Sequence, residues 1–337
     1  MTGSSVRSWW IFGVVNFFVT IIRTDSITTP HFMISSLHAV TTRGQIEKDL
    51  VKNDALVFLK NIHVTNDTKN FQVTKVSSKD FVKEVNSYLG QKENSSVLFF
   101  IPDAGIELDE VFYQCEQLQR SVDSTVIPCI YTKHDTAHFS IFKDVNKIAD
   151  DYYVAPSTAS LRSAVSKVAD GIRYPLNLLA HGYGARVLSR FDELKLSCKS
   201  PKFSNLFLAA PVLGTDFFSK EPTPIVDSGK NVKKFFNRVH IFYDKDDRIL
   251  KGYSNDLKQE NGIETPELLG SSGTKDGGLE LLNCNQLSFW ADPFRHHVYF
   301  NSKKCLNYIN CNLKYNGKKN GVKNNAEDVQ ECYYSAQ

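Results

Sequence analysis

The run Ala180-His181-Gly182-Tyr183-Gly184-Ala185-Arg186 follows the apolar stretch Leu176–Leu179 and precedes a helical pattern. This is the layout of a nucleophile elbow, G-x-S-x-G, in which a strained strand-to-helix turn lifts a serine side chain toward substrate. Here the outer small residues are Ala180 and Gly184, and Gly182 stands in the serine's place. Glycine reaches such backbone angles at no steric cost but carries no nucleophile. Two further segments supply the groups that would serve such a site. Val239–Tyr243 reads as a strand, followed by the acidic loop Asp244-Lys245-Asp246-Asp247. Near the end comes Arg295-His296-His297-Val298-Tyr299-Phe300. An acid after a strand and a histidine near the end keep the chain order nucleophile, acid, histidine, in which the carboxylate fixes the imidazole tautomer.

The elements that must position these residues form an alternating pattern. Strand-like runs recur at Ala55–Leu59, Phe71–Val76, Val97–Ile101, Thr125–Tyr131, Leu176–Ala180, Asn205–Ala210 and Val239–Tyr243. Several are continuous apolar blocks, as expected for strands buried on both faces of a parallel sheet. Helix-length segments lie between them: Ser78–Leu89, opened by a capping-type Ser-x-Asp, Glu107–Val122, and Ser157–Ile172 after Pro156. The pattern predicts an α/β fold with a mostly parallel, doubly wound sheet. Residues 219–237 and 252–278, rich in Gly, Pro, Lys and Asp, read as cap-like excursions above that sheet. The expected organisation is 1–24 as a signal peptide or short signal anchor, 25–38 as a loose segment, 39–313 as the folded domain and 314–337 as a polar tail. No internal repeat is visible.

With these elements in place, a resemblance can be stated. The chain resembles the uncharacterised α/β-hydrolase family, esterase- and lipase-like, that is widespread in bacteria. Its elbow has the form A-H-S-M-G-[NA]-R-x-L, against Ala180 to Leu188 here. Leu208-Ala209-Ala210-Pro211 with Asp216 resembles its following L-A-A-P-D strand. Tyr243, Asp247 and Leu250 resemble its acid loop, which selects Asp247 over Asp244 and Asp246. His297-Val298-Tyr299-Phe300 resembles its H-S-Y-[YF] segment, which selects His297 over His296. The resemblance implies an α/β-hydrolase fold, with Asp247 and His297 as the surviving catalytic pair above a vacant position at Gly182.

Two departures from the family pattern bear on function. The family's serine aligns with Gly182, and its oxyanion loop, typically V-H-G-F-N, aligns with Ile101-Pro102-Asp103-Ala104-Gly105. In such a loop backbone N–H groups near Asp103 and Ala104, with that of Tyr183, would hold the developing oxyanion. A carboxylate at Asp103 opposes that charge. Loss of the serine together with a changed oxyanion loop implies a pseudoenzyme that binds or scaffolds. The competing expectation is an active esterase or amidase in which Asp247 and His297 drive a water nucleophile.

Composition bounds the partners. The 337 residues are 42% hydrophobic and 23% charged, with formal net charge +3. This is not a nucleic-acid-binding profile. An acyl or other apolar small ligand is the expected occupant of any retained pocket, and a protein partner remains open. No cofactor is called for. The seven cysteines include no C-x-x-C pair, so no metal site is expected. Cys305 and Cys311 are close enough in sequence to bridge locally. Arg7 precedes an apolar run, Trp9–Ile22, short of the roughly 20 residues that span a bilayer. It reads as a secretory signal segment, with membrane contact only if uncleaved, or as a short anchor or buried segment. Sequons at Asn66 and Asn94 fit a secretory route.

Overall fold

The computed structural model describes residues 30–36, 56–64, 71–92, 95–103, 106, 108–130, 155–193, 203–218, 232–252, 254, 267–274, 279–284, 292 and 294–315. Among the described residues nine strands form one sheet: β1 (Phe32–Ser36), β2 (Leu56–Val64), β3 (Phe71–Val76), β4 (Val97–Ile101), β5 (Thr125–Ile130), β6 (Leu176–His181), β7 (Phe203–Ala209), β8 (Phe236–Tyr243) and β9 (Glu280–Asn283). Their spatial order is β3-β2-β1-β5-β4-β6-β7-β8-β9. The two pairings at the β3 end are antiparallel, and all pairings from β1–β5 onward are parallel.

The apolar blocks behave as strands buried on both sides. Strands β4, β5 and β6 are buried at every residue. Alternate side chains divide between two cores. Leu98, Phe100, Leu179, Phe207 and Phe242 join one, while Val97, Phe99, Ile101, Leu178, Leu206 and Ile241 join the other. The second core is closed by α1 (Ser78–Leu89), through Phe81, Val85 and Leu89, and by α3 (Ala155–Gly171), through Leu161, Val165 and Val168. The first is closed by α2 (Leu108–Ser121), through Val111, Phe112 and Leu118, and by a C-terminal helix, Lys303–Tyr315, through Cys305, Leu306 and Ile309. At about 1.5–3 kcal/mol for each large apolar side chain taken from water, these two layers dominate the stability of the fold.

Local signals and observed bounds differ in instructive ways. Helix α1 is capped by Ser77, whose hydroxyl accepts the Asp80 N–H at 3.1 Å, one residue ahead of the serine read as the cap. The segment read as loose, 25–38, contains β1, which pairs with both β2 and β5. Five residues that follow Pro30 and His31 and end in a serine pair give little periodicity, and only the sheet shows that Met33 and Ile34 are buried. The sequence pattern predicts no strand at Glu280–Asn283, where β9 forms. Within the excursions, Val232–Phe235 forms a 3-10 turn leading into β8, and Leu269–Ser272 (α4) packs against β8. Residues 219–231 and 255–266, the N-terminal apolar run, Asn66, Asn94 and the tail beyond Tyr315 lie outside the described residues. Among the described residues no helix is long and apolar enough to cross a membrane.

Candidate active site

The elbow lies where parallel-sheet geometry puts it, at the C-terminal end of β6. Gly182 has φ 53°, the left-handed value that the turn requires. The chain then enters a 3-10 helix over Gly182–Glu193, rather than the α-helix usual after such a turn. The Gly182 carbonyl accepts the Val212 N–H at 3.1 Å, which ties the turn to the segment after β7. Gly184 is required by close approach: a Cβ there would stand 2.5 Å from the Pro102 carbonyl oxygen and 2.8 Å from that of Ile101. The end of β4 thus rides directly over the elbow and delivers Asp103 to it.

Asp103 fills the space above Gly182. A Cβ on Gly182 would overlap the Asp103 carboxylate. Asp103 Oδ1 accepts the Tyr183 backbone N–H at 2.6 Å. Its Oδ2 lies 3.0 Å from His296 Nε2, and His296 Nδ1 lies 2.7 Å from Asp247 Oδ2. Asp103, His296 and Asp247 thus form a continuous chain, all of it buried. The N–H following the elbow residue is one that would stabilise an oxyanion; in this chain a carboxylate of the protein itself receives it.

The sequence expectation paired Asp247 with His297; the structure brings His296 to Asp247 instead. His297 is held by α2 instead: the Gln114 side-chain amide donates to its Nδ1 at 3.3 Å. The His297 backbone N–H donates to Asp292. Arg295 has φ 62°, unusual for a residue with a Cβ, and this kink selects which histidine faces the elbow. The kink is held by the Arg295 guanidinium, paired with buried Asp244 at 2.6 Å and donating to the Cys284 carbonyl at 3.3 Å. Asp247 sits after β8 as expected, its Oδ1 accepting the Leu250 N–H at 2.9 Å. Asp246 is turned outward, 3.5 Å from Lys251. Ala104, expected to contribute to the oxyanion loop, lies outside the described residues. His181 also enters the site: its Nε2–H donates to the His296 carbonyl at 2.9 Å, fixing that segment against the elbow.

Electrostatics follow from these contacts. Burial works against charge on His296, but Asp247 and Asp103 outweigh it and hold the imidazole protonated well above its usual range. Both ring nitrogens then donate. Burial alone would raise the Asp103 carboxyl; the His296 hydrogen bond and charge, with His181 and the Tyr183 N–H, bring it down to about 2. His181 is pushed well below its ordinary value, first by burial and then by the neighbouring histidines, and is neutral. The arrangement is a buried carboxylate–imidazolium–carboxylate chain.

Its linkage to folding has a definite sign. Asp103 titrates lower when folded than when unfolded, so its contribution is complete above about pH 4 and is lost between about pH 4 and 2. The difference is worth about 2 kcal/mol. His296 titrates higher when folded, so its contribution is complete below about pH 6.5 and declines as pH rises toward its folded value. Urea unfolding from pH 2 to 9 is expected to show maximal stability between about pH 4 and 6.5, and Asp103→Asn should remove the acid limb due to that group.

No group of three or more histidine, cysteine or acidic side chains among the described residues could hold a metal ion. Cys305 and Cys311 do not bridge each other: Cys305 is a free thiol, while Cys311 is disulfide-bonded.

A nine-stranded, mostly parallel sheet, with an elbow after β6 and an acid after β8, defines a protein of the α/β-hydrolase fold. Residues 77–309 match the family described as "Alpha/beta hydrolase of unknown function (DUF900)", and the chain belongs to that family. Among solved structures it is similar to the crystal structure of EstE5-PMSF, at 10% identity over 93% of this chain and 94% of that one, with a TM-score of 0.39. It is also similar to the iron-lacking apo form of ESTFA, at 10% identity over 94% and 92% of the two chains, with a TM-score of 0.36. No curated protein matches the sequence.

Proposed function

We propose that this chain is a non-catalytic member of the α/β-hydrolase family, working by binding or scaffolding along the secretory route. The observation that carries the reading is the Asp103 carboxylate over Gly182, held by the Tyr183 N–H and His296. Three requirements of serine hydrolysis are thereby opposed at once. No hydroxyl projects from the elbow, the oxyanion donor faces an anion, and the histidine already carries the proton that a general base must accept. Hydrolysis by activated water needs a neutral histidine, and the two flanking carboxylates work against that state as well. An acyl or other apolar ligand, or a protein surface, is the partner class that this reading favours. The apolar run after Arg7 supports passage through the secretory route.

The test is direct. The full chain from a eukaryotic secretory host, incubated with a fluorophosphonate probe and with short- and long-chain p-nitrophenyl esters, should show no label and no turnover above buffer. Its intact mass should lack about the first 25 residues, the length of the signal segment. Ester hydrolysis that disappears in His296→Ala would overturn the non-catalytic reading. An unprocessed chain retained in the cytosol would overturn the address.

A further inference from the structure

Outside the site, two of the free thiols among the described residues lie in contact. Cys284 immediately follows β9, and Cys305 lies in the first turn of the C-terminal helix, α6 (Lys303–Tyr315, after α5, Val298–Asn301). Their sulfurs are 3.6 Å apart, both side chains are buried, and both thiols are free. Sulfur atoms at this separation are in van der Waals contact, about 1.5 Å beyond the roughly 2.05 Å of a disulfide. The backbone on both sides is anchored. The Cys284 N–H donates to the Tyr243 carbonyl at 2.9 Å, and the Cys305 N–H donates to the Ser302 hydroxyl at 3.3 Å. Cys311, two turns further along the same helix, is already disulfide-bonded. This independent feature fits a chain that matures under oxidising conditions.

We propose that Cys284 and Cys305 form a second disulfide when the chain matures, and that this bond closes the loop that carries Arg295 and His296. The location gives it a purpose. Arg295 lies between the two cysteines in the chain, and the Cys284 carbonyl itself accepts from the Arg295 guanidinium. A covalent link at the two ends of this segment restricts the unfolded loop and so stabilises the placement of His296. The proposal is independent of whether the site above Gly182 is catalytic.

The chemistry is ordinary thiol–disulfide exchange with a low-molecular-weight disulfide such as oxidised glutathione. Both sulfurs are buried in the folded chain, so the exchange takes place before the C-terminal helix closes over them, with Cys305 attacking first. Its sulfur attacks oxidised glutathione and one glutathione thiolate leaves. Cys284 then gives up its proton and attacks the Cys305 sulfur of the mixed disulfide, releasing the second glutathione. Two protein thiols are oxidised by two electrons, and one glutathione disulfide is reduced to two glutathione thiols.

Peptide mapping decides the matter without any variant. The full chain from a secretory host is denatured under non-reducing conditions with N-ethylmaleimide. It is then digested with trypsin and with chymotrypsin, so that cleavage at Tyr308 parts Cys305 from Cys311. The expected result is a linked peptide joining Cys284 to Cys305, and no maleimide on either. Both cysteines fully labelled, in the same sample that shows Cys311 in a disulfide, would overturn the proposal, because the conditions were then oxidising enough. A second readout is thermal unfolding of the Cys284→Ala/Cys305→Ala chain beside the parent. Under oxidising conditions the parent should melt roughly 5–10 °C higher, a gap that closes after full reduction. A gap that is unchanged by reduction would assign the cysteines to packing alone.

Discussion

Changing Gly182→Ser together with Asp103→Gly is expected to raise ester hydrolysis at least about 10³-fold above the parent chain, whereas Gly182→Ser alone leaves it at background. The single change fails for a steric reason: a Cβ at Gly182 would overlap the Asp103 carboxylate. It also places a residue with a side chain at φ 53°, a strain that functional elbows tolerate only because the surrounding structure over-determines it. Removing Asp103 does three things together. It clears the space above the turn, returns the Tyr183 N–H to a substrate oxygen, and takes away one of the two carboxylates that keep His296 protonated. Serine, oxyanion donor and base act as a unit, so their restoration is strongly non-additive. Adding Pro102→His should improve the double variant further by bringing the loop nearer the family pattern. The assay is hydrolysis of p-nitrophenyl butyrate with fluorophosphonate labelling beside it. Strong rescue by Gly182→Ser alone would mean that Asp103 moves aside at little cost, and the plugged-site reading would fall.

The second large effect is on stability. Asp103→Asn keeps the shape of the side chain but removes its charge, leaving His296 with Asp247 alone. Breaking a buried ion pair by neutralising one partner costs about 3–5 kcal/mol, and the remaining Asp247 contact places this variant near the lower end. The comparison is Asp246→Asn, whose exposed carboxylate lies 3.5 Å from Lys251 and should cost less than about 0.5 kcal/mol. Urea unfolding of the three chains at pH 6 measures the difference. Equal stability of Asp103→Asn and the parent would show that the chain of charges does not hold the fold together.

Much of the architecture was legible because apolar blocks and helical spacing report burial directly. Val97–Ile101 reads as a strand buried on both faces, and it is one. Phe32–Ser36 was not legible, since five residues beside Pro30 have no periodicity of their own and become a strand only by pairing with β2 and β5. The site divides in the same way. Turn chemistry marks Gly182, and position after a strand marks Asp247, both local properties. The choice between His296 and His297 is not local. It depends on the φ of Arg295, which in turn is held by Asp244, 51 positions away, and the Cys284 carbonyl, 11 positions away.

Asp103 shows the limit most clearly. By itself the sequence determined that a carboxylate stands in the oxyanion loop and a glycine at the elbow, and it made each look like a separate loss. Tertiary structure decided that they are one change. Strands β4 and β6 are neighbours in register, Ile101 opposite Ala180, so Asp103 and Gly182, each two positions beyond that pair, come to the same point. There the side chain missing at Gly182 makes room for the one present at Asp103. A residue's identity is written in the chain, but which other residue shares its space is fixed only by strand order, because that order brings together groups about 80 positions apart.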